Sequence, residues 1–263
     1  MNADSLKSVA SRVFGPIVVI GLLLAIWQWY AGHSGLGSDV LPSPTRVWQQ
    51  GWAARQNLWT NTVPTLQATA MGFCLSLIVG ITLSILIDSS HFLRQAIMPV
   101  LIISQTLPLI AIAPLMILWF GFALLPKVLI VALVTFFPIS VSLVEGYASV
   151  ERSTEVLLRA MGAGKVRIFR SLRWPAAMPF FFAGLRIAIT YAVVAAIFAE
   201  YAGASAGLGI YMQLAKNSFR TDLVLAAVGV SAVLTLSLFA FTYLVERLTI
   251  PWARLSRRAV GKW

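Results

Sequence analysis

Residues 148–178 read ASVERSTEVLLRAMGAGKVRIFRSLRWPAAM, and their setting decides the fold. The apolar runs on either side, Lys127–Val144 and Pro179–Tyr201, can each cross a bilayer core, which takes about 20 helical residues. Between them stand Arg152, Arg159, Lys165, Arg167, Arg170 and Arg173, six of the chain's 20 Lys and Arg. Two short helices fit this loop of residues 147–178. From Val150 to Met161, Leu157, Leu158 and Met161 share a face, while Glu151, Arg152, Glu155 and Arg159 lie mostly elsewhere. Gly162-Ala163-Gly164 then supplies a turn where a helix can end and the chain can reverse. From Lys165 to Trp174, Val166, Phe169 and Leu172 make one stripe, with Arg167, Arg170 and Arg173 beside it; Pro175 closes the segment. Such patterning suits a docking surface for a soluble partner. The plainer alternative is an amphipathic pair lying on lipid phosphates.

Outward from the loop, the composition is that of a membrane protein. Of 263 residues, 59% are hydrophobic and 11% charged, against roughly a quarter charged in soluble domains. Six apolar runs are long enough to span: Phe14–Tyr30, Pro64–Ile87, Ile97–Phe120, Lys127–Val144, Pro179–Tyr201 and Leu223–Val245. The third holds Pro108 and Pro114, so a kink or break is expected there. The first leads to no small-residue cleavage site and reads as a retained span. The net charge of +11 sits in loops, which points to topology and anionic lipid rather than nucleic acid. With the N-terminus inside, fourteen Lys and Arg face inward and Arg46, Arg55, Lys127, Lys216 and Arg220 outward. That places both termini and the 147–178 loop in the cytoplasm. The segment LPSPTRVWQQGWAARQNLW after the first span groups Trp48, Trp52, Arg55 and Trp59, as in a helix lying in the membrane interface.

Several chemistries are excluded. The single cysteine, Cys74, rules out an internal disulfide and a thiolate metal site, and His33 and His91 sit in different loops. Gly203-Ala204-Ser205-Ala206-Gly207 matches G-x-S-x-G, but a nucleophile elbow needs a preceding strand and a placed His and acid. Gly164-Lys165 is no P-loop, since residue 159 is Arg and residue 166 is Val. The chain is read as a non-enzyme that binds no metal and no ATP itself. Polar groups at membrane depth (Gln105, Thr106, Thr135, Tyr191 and Glu200) are the candidates for a translocation route. Glu200 is divided between lining that route and bonding to the glycine-rich turn after it. Arg186 is read as snorkelling to headgroups or anchoring the loop.

The loop resembles the cytoplasmic signature of permease subunits of type I ABC importers: Glu-Ala-Ala, three residues, Gly, nine residues, Ile-x-Leu-Pro. With Gly162 as the glycine, the last part falls on Leu172-Arg173-Trp174-Pro175. The triplet falls on Val156-Leu157-Leu158, with Glu155 one residue early. LPSPTRVW (41–48), PLMILWFG (114–121), PAAMPFFFAGLRIA (175–188) and AEYAGASAGLGIYM (199–212) resemble the branch for sulfonates, taurine, nitrate and thiamine precursors. The resemblance implies an all-α, six-helix permease with cytoplasmic coupling helices, built on Glu155, Leu157, Leu158, Met161, Gly162, Ala163, Gly164, Val166, Arg167, Phe169, Arg170, Leu172 and Pro175. It implies a cytoplasmic segment 1–13, a permease domain 14–248 and a basic cytoplasmic tail 249–263, in a bacterial inner membrane. The implied partners are a second permease copy, two ATPase subunits holding ATP and Mg, and an extracytoplasmic solute-binding protein. A pyrimidine thiamine precursor or similar heterocycle is the expected cargo, with sulfonate, taurine or nitrate as the alternative. A stand-alone secondary transporter is the rival from another class.

Overall fold

The computed structural model describes residues 3–35 and 37–251, and all regular structure among them is helical. In order these are α1 (Ala3–His33), α2 (Pro44–Ala53), α3 (Arg55–Ser89), α4 (His91–Thr106), α5 (Leu109–Phe120) and α6 (Leu124–Ala148), followed by α7 (Arg152–Ala160) and α8 (Lys165–Ile168). A π-helical turn, Phe169–Arg173, then leads into α9 (Trp174–Tyr201), α10 (Leu208–Asn217) and α11 (Thr221–Thr249). α1 runs on from Ala3, and its part apolar enough to cross a membrane is Phe14–His33. The expected tail 249–263 lies outside the described residues from 252 onward.

Among the described residues five helices are long and apolar enough to cross a membrane, and α4 with α5 meets the same test as a pair bent by 97° at its break. Pro108 causes the break. It starts α5 with no N–H to give, and it holds Leu107 in an extended conformation at ψ 124°, as the residue before a proline prefers. Pro114 stays inside α5.

The chain divides into two compact units. The larger holds Thr60–Ile210 and the residues from Ser231 on, and its centre is the α6–α9 pair. Without a hydrophobic drive between helices in lipid, close contact depends on small residues, and the sequence supplies them at the crossings. A Cβ on Gly146 would lie 2.7 Å from the Ala177 Cα, and one on Gly184 would lie 2.6 Å from the Pro138 carbonyl oxygen. α3 approaches α6 in the same way, with Gly72 against Val131. Ala192, Ala195, Ala196 and Ala199 continue this small-residue face of α9 against Ile130 and Val131.

The smaller unit holds residues up to Trp59 and Tyr211–Val230. Pro44 occupies the first turn of α2, and the Ser43 hydroxyl accepts the Arg46 N–H, so the helix start is capped. Trp48 stacks on Trp52 at 6.2 Å, and the Arg55 guanidinium sits 5.4 Å from the Trp52 ring centre. Trp48, Trp52 and Trp59 are all largely exposed, the arrangement of an interfacial aromatic anchor. Asp222, buried in the first turn of α11, accepts from Arg220 Nε (3.0 Å), Arg46 Nε (3.4 Å) and the Leu223 N–H (2.8 Å). A carboxylate there also suits the helix dipole. None of this cluster was expected from the sequence beyond placing Arg46 and Arg220 on one side.

α10 ends in a Schellman motif: the Phe219 N–H bonds to the Lys216 carbonyl and the Arg220 N–H to the Ala215 carbonyl. The left-handed position, normally Gly, is Phe219 at φ +54°, with its ring exposed. Holding a bulky L-residue there costs about 1–2 kcal/mol. Phe219→Gly is therefore expected to raise the unfolding temperature of the detergent-solubilised protein by a few degrees. A fall would mean that the ring makes a stabilising contact.

Candidate functional site

α7 carries no buried residue, so its shape rests on local bonds. It ends in a second Schellman motif, with the Gly162 N–H on the Arg159 carbonyl and the Ala163 N–H on the Leu158 carbonyl, each 2.9 Å. Gly162 takes the left-handed position at φ +84°, where a Cβ is disfavoured. The expected helix and its glycine turn are thus both present.

The second half of the loop departs from expectation. Pro175 does not close the segment: Lys165 to Tyr201 runs as one helical rod of 37 residues. The π turn resolves the conflict. The Trp174 N–H bonds to the Phe169 carbonyl, five residues back, and this wider turn makes room for a ring that would clash in an uninterrupted α-helix. The expected stripes do not hold. Val166 is exposed, whereas Phe169 turns inward, its ring tilted against those of Tyr147 (5.4 Å) and Trp174 (6.1 Å). Leu172 and Pro175 are half-buried. Arg167 and Arg170 are exposed, but Arg173 turns inward.

Arg173 is the centre of an ionic network. Its Nη1 donates to both Asp88 oxygens at 2.8 and 2.7 Å, and its Nη2 to Glu155 at 2.8 Å. Arg159 reaches the other Glu155 oxygen at 2.6 Å. These bonds, that from Arg173 first, hold Glu155 below its ordinary value of 4.5. A lowered carboxylate pKa contributes stability above the unfolded value, and that contribution fades as the pH falls below it. The Asp88 partner was missed by sequence reading, although its place as an acid near the end of an apolar run was visible. Outside the network, Val156, Leu157, Met161 and Val166 are each more than half exposed, while Leu158 and Ala163 are half-buried. Gly164, like Gly162, has open space around it. The loop thus exposes four large apolar side chains together with Arg167 and Arg170.

The route candidates do not share one environment. Gln105, Thr106 and Tyr191 are exposed, and the Thr106 hydroxyl donates to its own helix at the Ile103 carbonyl. Thr135 is fully buried and donates to the Val131 carbonyl. Glu200 is also fully buried. Its carboxylate accepts from the Thr65 hydroxyl at 2.8 and 3.0 Å and from the Gly209 N–H at 2.8 Å. Thr65 in turn accepts the Leu208 N–H at 2.9 Å, and Asn61 Oδ1 the Gly207 N–H at 3.1 Å. Side chains of α3 and α9 therefore satisfy the first amides of α10, which a helix start leaves unpaired. Ser205 is exposed in this helix-to-helix turn. Arg186 is not left to snorkel: it forms an ion pair with Glu246 of α11.

Residues 72–250 match the family described as binding-protein-dependent transport system inner membrane component. The chain belongs to this family of ABC transporter permeases. The riboflavin transport system permease protein RibX of Chloroflexus aurantiacus is 36% identical over 250 residues, covering 94% of this chain and 93% of the relative. The formylaminopyrimidine transport permease protein ThiX of Halalkalibacterium halodurans is 35% identical over 240 residues, covering 91% and 96%. Permeases named for nitrate, aliphatic sulfonates and taurine match at lower identity. Among solved structures, an inward-facing MetNI methionine ABC transporter aligns with TM-score 0.63 at 17% identity, covering 75% of this chain and 96% of that one. The fold is that of the type I importer permeases.

Proposed function

We propose that the chain passes a small heterocycle from an extracytoplasmic binding protein to the cytoplasm by alternating access, as a homodimer driven by two ATPase subunits. ATP and Mg are held by those subunits. Both termini and the 147–178 loop face the cytoplasm, following the excess of Lys and Arg on that side. One observation carries the reading: exposed apolar side chains (Val156, Leu157, Met161 and Val166) and the exposed Arg167 and Arg170 sit on a loop continuous with a membrane-crossing rod. Exposed apolar side chains rimmed by charge mark an interaction surface, and the rod transmits what the surface receives. Gln105, Thr106 and Tyr191, open in this conformation, are assigned to the route. Thr135, another expected route group, is enclosed here. Glu200, enclosed by its partners, is assigned to fixing the α9–α10 turn.

The cargo reading rests on two relatives above 30% identity whose names give a substrate, riboflavin and formylaminopyrimidine, both of which contain a pyrimidine ring. The test is ATP hydrolysis by the reconstituted complex with its binding protein, challenged with formylaminopyrimidine, riboflavin, taurine, an alkanesulfonate and nitrate. Stimulation by a pyrimidine-containing ligand alone is expected. Stimulation by an anion alone would replace the cargo assignment, and recovery of the native protein with no ATPase bound would favour an ion-driven transporter. Reversing charge at Arg167 and Arg170 together is expected to weaken ATPase binding by roughly tenfold or more. Unchanged binding would mean that this surface faces lipid.

A further inference from the structure

The loop reaches the membrane spans by three routes, and only two follow the chain. α6 leads into α7, and α8 leads through the π turn into α9. The third is ionic. Asp88, one residue before the end of α3, is far from the loop in sequence, yet both its oxygens bind the Arg173 guanidinium. The same guanidinium holds Glu155 of α7. An arginine is suited to this, because its planar fork can serve two carboxylates at fixed angles and a lysine cannot. The three side chains are largely shielded, at 26%, 18% and 15% exposure for Arg173, Asp88 and Glu155, so solvent screens the contact less than at an open surface. Asp88 has little local reason to be acidic. A carboxylate in the last turn of a helix opposes the helix dipole, and Arg173 offsets that cost.

Asp88 also stands at a mechanical junction. α3 ends at Ser89 and α4 begins at His91, the first half of the broken span whose second half departs at 97°. Arg173 therefore ties the loop to the point where the second span hands over to the bent third one.

We propose that Asp88 is a positioning residue for coupling: through Arg173 it makes α7, the start of the Lys165–Tyr201 rod and the α3–α4 junction move as one body. Displacement of the loop then reaches the broken span directly, not only through α6 and α9. The proposal rests on the coupling role given to the loop above. It also separates Glu155 from the partner-facing surface, since its carboxylate is taken up within the chain.

The test uses the assembled complex in vesicles and three readouts: ATPase co-purification, ATP hydrolysis and substrate delivered per ATP. Asp88→Asn is expected to retain ATPase association and hydrolysis, while delivery per ATP falls by about fivefold or more, the scale of a typical coupling energy. Exchanging the charges, Asp88→Arg with Arg173→Asp, is expected to recover part of that loss. Arg173→Lys, which keeps the charge but cannot hold both carboxylates, is expected to show the same uncoupling and is read if Asp88→Asn does not assemble. Delivery per ATP equal to the wild type in both single variants would overturn the proposal. So would loss of ATPase association in both, which would reduce the network to holding the shape of α7. A wild-type protein that binds no ATPase would instead overturn the coupling role itself, and this inference with it.

Discussion

Replacing Gly207 with alanine is expected to remove most folded protein from the membrane. Gly207 lies at φ +136°, where an L side chain is strained. An added Cβ would land on the Glu200 carboxyl group, well inside van der Waals contact. Relief would require Glu200 to leave its site, and the site is closed on all sides: the carboxylate is fully buried and holds the Thr65 hydroxyl and the Gly209 amide. Moving it would orphan these groups, each at about 1–3 kcal/mol, on top of about 1–3 kcal/mol of backbone strain. That total approaches the 5–15 kcal/mol by which a typical protein is stable at all. The measurement is the yield of monodisperse protein after membrane extraction, with Ser205→Ala as the control in the same turn. Wild-type yield for Gly207→Ala would show that the α9–α10 turn repacks freely.

The second large effect concerns Arg186 and Glu246. Their ion pair joins α9 to α11, with 22% and 14% of the side chains exposed. Removing one member leaves an uncompensated charge in a poorly solvated place, which costs about 3–5 kcal/mol for a buried pair. The residual exposure here brings that to roughly 2–3 kcal/mol. Arg186→Leu and Glu246→Leu are each expected to lower the unfolding temperature strongly. The double replacement is expected to restore most of it, because two leucines in an apolar setting leave nothing unpaired. Additive losses in the double variant would mean that each residue serves a separate partner.

Parts of this architecture can be read from short stretches of sequence. Spans follow from apolar run length, and the break at Pro108 follows from a missing N–H and the constraint on Leu107. The reversal at Gly162 follows from a glycine just past an amphipathic segment. What escapes such reading has two physical origins. One is a local choice that propensity argues against: the π turn before Pro175 shifts the register of every side chain around it, and Phe219 occupies a left-handed position ordinarily left to glycine. The other is pairing between distant residues. Arg173 looks like its neighbours Arg167 and Arg170, and only the fold sets it against Asp88. Arg186 likewise meets Glu246 only once α9 and α11 are packed. Glu200 was legible as an acid at membrane depth beside a glycine-rich turn, divided between route and turn, but Asn61 and Thr65, which complete its setting, come from another helix.

The helical rod from Lys165 to Tyr201, widened once at its π turn, has a geometric outcome. At about 1.5 Å per residue it measures about 55 Å, against a hydrocarbon thickness of about 30 Å. A stiff pole seated in lipid with that much overhang acts as a tiller. Tilting it by about 10° around the bilayer midplane sweeps its far tip, and the network tied to it, sideways by about 7 Å, while atoms at the midplane barely move. Large excursions outside the membrane are thus geared down to small ones within it, where tightly packed glycine and alanine contacts tolerate little else.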